Sequence, residues 1–182
     1  MDGKPGNGAR RPNLILTGMP SAGKSTLGVL VAKALCMDFT DTDLLLQSRL
    51  GERLQPHIDR CGIEAFLKRE EETILAFTGS GSVVATGGSV VYSDAAMAHL
   101  RATGPVVYIE VPLAELEQRL GNAAARGIAM RPGQTLADLY GERRPLYERY
   151  ADMTLSWRAG DTMTDMVDRL LEEIGWQNSS MD

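Results

Sequence analysis

Cysteine is scarce in this chain of 182 residues, which contains only Cys36 and Cys61. Neither lies in a Cys-x-x-Cys pair or near a histidine at metal-binding spacing, so we expect no disulfide framework and no structural zinc site. Aromatic residues make up only 5% of the chain, too few for the stacking platforms that bind single-stranded nucleic acid. Acidic residues outnumber basic ones, and the net charge of -5 also disfavours nucleic acid as a partner.

Long hydrophobic runs are missing as well, because no segment approaches the roughly 20 apolar residues that span a membrane. The amino terminus lacks the apolar centre of a secretory signal, so we expect a cytoplasmic monomer without a membrane partner. The hydrophobic content of 43% is typical of globular proteins, and the length predicts one domain. We expect a disordered tail at 1–12, a single domain at 13–176 and a second tail at 177–182.

Short apolar runs alternate with helical patterns along the chain. The predicted strands are 13–17, a short segment ending at residue 40, 82–86, 106–111 and 153–156. The predicted helices are 27–35, 44–50, 63–77, 95–101, 113–120, 136–150 and 163–174. Such alternation predicts a parallel sheet with helices on both faces. We therefore expect an α/β protein, a three-layer α/β/α fold with a five-stranded parallel sheet, whose ligands bind at the carboxyl ends of the strands.

The segment 18–25, Gly-Met-Pro-Ser-Ala-Gly-Lys-Ser, matches the phosphate-binding pattern GxxxxGK[ST] at every fixed position. Its two glycines allow backbone turns that a Cβ would block, so that successive amide groups can face a phosphate. Lys24 would place a cation on the β- and γ-phosphates of ATP, and Ser25 would offer its hydroxyl to Mg²⁺. The nucleotide-binding residues of this region are expected to be Gly18, Ser21, Ala22, Gly23, Lys24, Ser25 and Thr26.

Two acidic residues, Asp41 and Asp43, directly follow the second predicted strand. Because side chains alternate along an extended segment, we expect both carboxylates on the same side. One can hold Mg²⁺, and the other can orient an acceptor hydroxyl or take its proton. The alternative is that one of them only caps the next helix. Gly87 and Gly88 end the third strand, where they would form either a close-fitting substrate corner or merely a tight turn.

Together, these motifs resemble the shikimate kinase family of small P-loop kinases over about residues 13–174. The resemblance implies a P-loop NTPase fold with a mobile lid at about 121–134. It also implies ATP- and Mg²⁺-dependent phosphorylation of shikimate to shikimate 3-phosphate, in aromatic amino-acid biosynthesis. In this reading Asp41 and Ser25 lie at the metal, and Asp43 acts as the base on the substrate hydroxyls, close to Gly87 and Gly88.

Three arginines take their roles from the resemblance alone. Arg119 corresponds to an arginine that stacks on adenine, and Arg126 to a lid arginine that contacts the transferred phosphate. Gly127 stands where the family usually has proline, and Arg131 is a second candidate for the lid arginine. Arg143 begins the family signature Arg-x-Pro-Leu-Tyr, which implies that it binds the substrate carboxylate. The expected catalytic residues are Lys24, Asp43 and Arg126.

The sequence departs from the family pattern at two further positions. Ser89 replaces the third glycine of the corner, and Leu67 follows Phe66 where the family has an arginine that grips the substrate carboxylate. A leucine cannot make that charge-assisted hydrogen bond. Two alternatives therefore stand beside shikimate kinase. One is a P-loop kinase for another small hydroxylated acid or polyol, such as gluconate or a hydroxy amino acid, and the other is a non-catalytic ATP-binding regulatory module.

Overall fold

The structure, a computed structural model, describes residues 11–120, 128–131 and 133–175. The predicted lid arginine, Arg126, therefore lies outside the described residues. Five parallel strands form one sheet in the order β2-β3-β1-β4-β5. The strands are β1 Leu14–Thr17, β2 Asp38–Asp41, β3 Ser82–Ala85, β4 Val106–Glu110 and β5 Met153–Ser156. The predicted five-stranded parallel sheet is thus confirmed.

Helices connect the strands. They are α1 Lys24–Leu35, α2 Thr42–Leu50, α3 Leu54–Cys61, α4 Ile63–Leu75, α5 Asp94–Arg101, α6 Leu113–Leu120, α7 Leu136–Tyr150 and α8 Met163–Ile174, with a short 3₁₀ turn at Val90–Tyr92. The sequence patterns predicted all of these helices except α3. That helix has only eight residues, and His57 lies on its buried face beside Leu54 and Ile58. None of the helices in the described ranges has the length and hydropathy of a transmembrane segment.

The three central strands are buried along nearly their whole length. Continuous apolar strands of this kind are typical of parallel sheets that are covered on both faces. Because the strands are parallel, the loop after β1, the start of α2 after β2 and the glycine corner after β3 meet at one edge of the sheet. This edge is where doubly wound sheets bind their ligands.

A second, smaller apolar cluster lies among α2, α3 and α4. Its buried members are Leu46, Leu54, Ile58, Phe66 and Ala129, and partly buried Leu50, Ile63 and Leu67 pack against them. The cluster fixes α4 beside the carboxyl edge of the sheet. The cluster also accounts for a leucine at position 67, because the Leu67 side chain packs against its apolar members.

Candidate active site

The loop after β1 is built so that its main chain surrounds an anion. Gly18 has a φ of 145°, and a Cβ there would lie 2.7 Å from the carbonyl oxygen of Ile109. Gly23, at the N-terminus of α1, has a φ of 90°, and Ser21 is also left-handed at 63°. No side chain among the described residues caps α1. Its first amide groups and its positive end can therefore bind phosphate.

Lys24 folds back over this loop and is buried. Its Nζ donates hydrogen bonds to the carbonyl oxygens of Gly18 at 2.9 Å and Met19 at 2.8 Å. Burial lowers the pKa of Lys24 to about 8, although the carboxylates of Asp43 and Asp41 partly oppose this shift. The loop itself thus holds the ammonium group in place.

ATP binding is expected to weaken by about tenfold as the pH rises from 7 to 9, because Lys24 then loses the proton that phosphate oxygens favour. Calorimetric titration of ATP with Mg²⁺ at several pH values measures the effect. In the Lys24→Met variant, affinity should be lower but nearly constant over the same range. A constant affinity in the unaltered protein would contradict the assignment.

Asp41 and Ser25 place two oxygen donors beside the loop. The Ser25 hydroxyl donates to Oδ2 of Asp41 at 2.6 Å. The other oxygen of Asp41 accepts hydrogen bonds from the amides of Asp43 at 2.9 Å and Leu44 at 3.3 Å, so Asp41 also caps α2. The capping role and the metal role are therefore compatible in one carboxylate.

This pair of donors suits Mg²⁺. Hydroxyl and carboxylate oxygens are the ligands that Mg²⁺ prefers, and it commonly takes only one or two from a protein beside substrate phosphates. In the part of the chain that the structure describes, no cluster of three or more acidic, histidine or cysteine side chains could hold a metal. Ser25 and Asp41 suit a metal ion that also binds the phosphates of a nucleotide, because two protein ligands are enough for such an ion.

Asp43 lies in the first turn of α2, so the sequence argument from strand alternation was wrong about its setting. Its Oδ1 lies 2.7 Å from the position that a Cβ on Gly87 would occupy. Burial raises the pKa of Asp43, Lys24 opposes this shift, and the negative charge of Asp41 adds to it. The neighbouring Thr42 accepts a hydrogen bond from the Gly87 amide at 3.0 Å, which joins α2 to the glycine corner.

A second buried carboxylate, Glu70, faces the same position on Gly87 and was missed from the sequence. Its side chain is 4% exposed, and its Oε1 has no hydrogen-bond partner among the described residues. Burial raises its pKa to about 7, and a hydrogen bond with Ser89 opposes the shift. Phe66, Glu70 and Ile74 share one buried face of α4. An acidic residue within the apolar face of a predicted helix is therefore the sequence signal that could have identified Glu70.

Arg143 is buried, with 1% of its side chain exposed. Its Nη2 donates to the carbonyl oxygen of Ala129 at 2.7 Å, and its Nε donates to the hydroxyl of Tyr92 at 3.1 Å. Its Nη1 lies 3.2 Å from the position of a Cβ on Gly88. Tyr147 donates to the Gly88 carbonyl oxygen at 2.6 Å and so fixes the corner. This arginine is therefore held at the pocket and is not an ordinary surface charge.

Arg119 lies on the nucleotide side of the loop. Its guanidinium stacks on the ring of Trp157 at 4.0 Å from the centroid, and its Nε donates to Glu115 at 2.9 Å. Its Nη1 approaches the carbonyl oxygens of Ser21 and Ala22 at 3.4 Å. The ring of Trp157 thus orients this arginine beside the loop.

The structure brings most of the predicted site residues to one edge of the sheet: Gly18, Ser21, Ala22, Gly23, Lys24, Ser25, Thr26, Asp41, Asp43, Gly87, Gly88, Arg119 and Arg143. Arg126 lies outside the described residues. The other lid candidate, Arg131, is exposed, with its Nη1 3.7 Å from Glu142.

Comparisons of the sequence and of the structure with known proteins agree on one family. The sequence profile of the family described as shikimate kinase matches residues 20–175. The shikimate kinase of Haemophilus influenzae (strain PittEE) is 39% identical over 151 residues, which cover 81% of this chain and 84% of its own length. That of Vibrio vulnificus (strain YJ016) is 36% identical over 170 residues, covering 91% and 99%. The solved shikimate kinase from Acinetobacter baumannii, in complex with shikimate, has a TM-score of 0.81 and 27% identity, covering 93% and 96%.

Proposed function

The chain belongs to the shikimate kinase family, and we propose that it transfers the γ-phosphate of ATP to a hydroxyl of shikimate, giving shikimate 3-phosphate. One observation carries this proposal: a phosphate loop, a buried carboxylate and a buried guanidinium converge on one glycine corner. Asp43 faces Gly87, and Arg143 faces the adjacent Gly88. A hydroxyl beside Asp43 and a carboxylate beside Arg143 are the groups that such a corner would bind.

On the donor side, the amide groups of the loop and the ammonium of Lys24 hold the triphosphate of ATP. Ser25 and Asp41 would hold Mg²⁺, which neutralises charge on the β- and γ-phosphates when it is bound. Arg119 lies where it could contact the nucleotide, and its stacking on adenine is part of the proposal. Most of the catalysis in this class of reaction comes from such positioning and charge stabilisation.

On the acceptor side, Arg143 binds the carboxylate and orients the ring, while Asp43 accepts the proton of the reacting hydroxyl. That oxygen forms a bond to the γ-phosphorus as the bond to the β,γ-bridging oxygen breaks, and ADP leaves. We assign Arg126 to the transferred phosphate and 121–134 to a lid that excludes water, as in the family pattern.

The direct test is turnover of purified protein with ATP, Mg²⁺ and shikimate, followed by ADP release and by ³¹P NMR of the product. We expect one phosphomonoester and a kcat/KM of about 10⁴ M⁻¹ s⁻¹ or more. A regulatory module would instead bind ATP tightly and form no product with any acceptor. Absence of product in the presence of measurable ATP binding would therefore overturn the proposal.

The Arg143→Lys variant is expected to raise the KM for shikimate by about 10- to 100-fold while changing kcat less, because lysine keeps the charge but loses the planar fork. Steady-state kinetics at saturating ATP measure both constants. Arg144→Lys is the matched control, since Arg144 is the exposed neighbour on the same helix. An unchanged KM in a variant with unaltered ATP affinity would contradict the role of Arg143.

We also propose a cytoplasmic monomer with one domain at 13–176 between tails at 1–12 and 177–182. The length of 182 residues supports a single domain. Light scattering coupled to gel filtration tests the monomer, which should give a mass near 19.8 kDa.

A further inference from the structure

Two of the departures from the family pattern, Leu67 and Ser89, bear on Glu70. The side chain of Leu67, one helical turn before it, packs against the apolar cluster and brings no charge. Ser89 forms a hydrogen bond with the Glu70 carboxylate. No cation of the described residues lies within ion-pair distance of Glu70, and Arg143 and Lys24 act on it only at longer range. Within the described ranges the carboxylate is therefore buried without a paired positive charge.

Such an arrangement is energetically costly. A buried carboxylate needs a cation or several hydrogen-bond donors, and Oε1 of Glu70 has none among the described residues. The pKa of about 7 is a consequence of this burial. Buried acceptors are nearly always satisfied, so an unsatisfied one beside a substrate corner points to a donor on the ligand.

Side chains of opposite charge face the two neighbouring glycines of the corner. Oxygens of Glu70 and Asp43 both approach the position of a Cβ on Gly87, whereas Nη1 of Arg143 approaches that of Gly88. A molecule seated there meets two carboxylates at one end and a guanidinium at the other. This distribution is complementary to a zwitterion, which carries an ammonium group and a carboxylate.

We propose that the site also phosphorylates small hydroxy amino acids, with the ammonium group at Glu70, the carboxylate at Arg143 and the hydroxyl at Asp43. The proposal rests on the phosphotransfer function proposed above and extends its range of acceptors. The amino-acid oxygen bonds to the γ-phosphorus, the bond from that phosphorus to the β,γ-bridging oxygen breaks, and ADP leaves with the electron pair. The hydroxyl proton passes to Asp43, and the product is a phosphomonoester of the amino acid.

Acceptor pairs that differ only in the ammonium group test the proposal. L-Homoserine is compared with 4-hydroxybutyrate, and L-serine with 3-hydroxypropionate, each with ATP and Mg²⁺ and with shikimate in parallel. We expect at least one amino acid to exceed its amine-free partner by about tenfold or more in kcat/KM, the gain of one charge-assisted pair. Equal rates within both pairs, or no phosphorylated amino acid, would overturn the proposal.

Variants identify the carboxylate responsible. Glu70→Gln removes its charge, and Leu67→Arg supplies a cation one turn away, so both should lower the ratio of amino-acid to shikimate kcat/KM by about tenfold or more. Glu72→Gln changes an exposed acid on the same helix and should leave the ratio unchanged. ATP affinity reports folding in each case. If Glu70→Gln does not fold, the test rests on Leu67→Arg. An unchanged ratio of amino-acid to shikimate kcat/KM in Leu67→Arg would overturn the proposal.

The outcomes also separate this inference from the proposed function. Turnover of shikimate without any amino acid overturns the inference and leaves the shikimate kinase activity standing. Turnover of an amino acid without shikimate supports the inference and overturns shikimate as the acceptor. Turnover of neither, with ATP still bound, overturns both.

Discussion

Replacing Lys24 with methionine is expected to lower kcat/KM by about 10³-fold, because the variant loses a preorganised charge on the transferring phosphate. Methionine has a similar length and tolerates burial, so the side chain can still fill its place. The Nζ contacts to the Gly18 and Met19 carbonyl oxygens are lost, but the φ angles of Gly18 and Gly23 do not depend on them. Steady-state kinetics with ATP and shikimate measure the effect.

The matched control for this variant is Lys33→Met, which removes an exposed lysine from the same helix. It should retain kcat/KM within about twofold, since exposed substitutions away from a site have small effects. Thermal unfolding of both variants reports the fold. If Lys24→Met folds normally and keeps more than a tenth of the activity, the assignment of the loop as the catalytic phosphate site is wrong.

Replacing Asp43 with asparagine is expected to lower kcat by about 10²- to 10⁴-fold, the usual contribution of a general base. Asparagine keeps the size of the side chain but cannot accept the hydroxyl proton. ATP affinity should change by less than about threefold, because Asp43 lies on the acceptor side of Lys24. Single-turnover measurement of phosphate transfer separates this loss from any change in product release.

The pH dependence gives a second readout for Asp43. Only the ionised carboxylate can act as a base, and burial raises its pKa, so activity should fall with decreasing pH at a higher pH than for an exposed aspartate. Asp38→Asn, which changes an exposed acid of β2, is the control and should leave kcat unaltered. A normal kcat in Asp43→Asn would exclude it as the base.

Most of the fold could be predicted from local patterns. The buried strands β1, β3 and β4 are continuous apolar runs, and the glycines Gly18 and Gly87 mark the ends of β1 and β3. Helix α3 could not be predicted in this way, because it has only eight residues and its buried face includes His57. Its position is set by packing against α4 within the smaller apolar cluster.

The residues of the site also differ in how far local sequence patterns predict them. The phosphate loop was predictable because its residues are contiguous and its conformation follows from glycine positions that no other residue could fill. The proximity of Asp41 and Asp43 was foreseen, but for the wrong reason, since α2 begins between them at Thr42. The burial of Arg143 was left open by the sequence, because it depends on contacts with Tyr92 and Ala129 from distant segments.

The sequence by itself determined a phosphate-binding loop on a parallel α/β sheet, because both depend on short-range order: glycine spacing, apolar runs and helix periodicity. Only the tertiary structure decided the charge state of the acceptor corner. Among the described residues no cation pairs with Glu70, because the Leu67 side chain packs into an apolar cluster. Asp43, Ser89 and Arg143 act on Glu70 from three other segments of the chain. Burial and Coulomb interactions depend on distances in space, and separation along the chain does not give those distances.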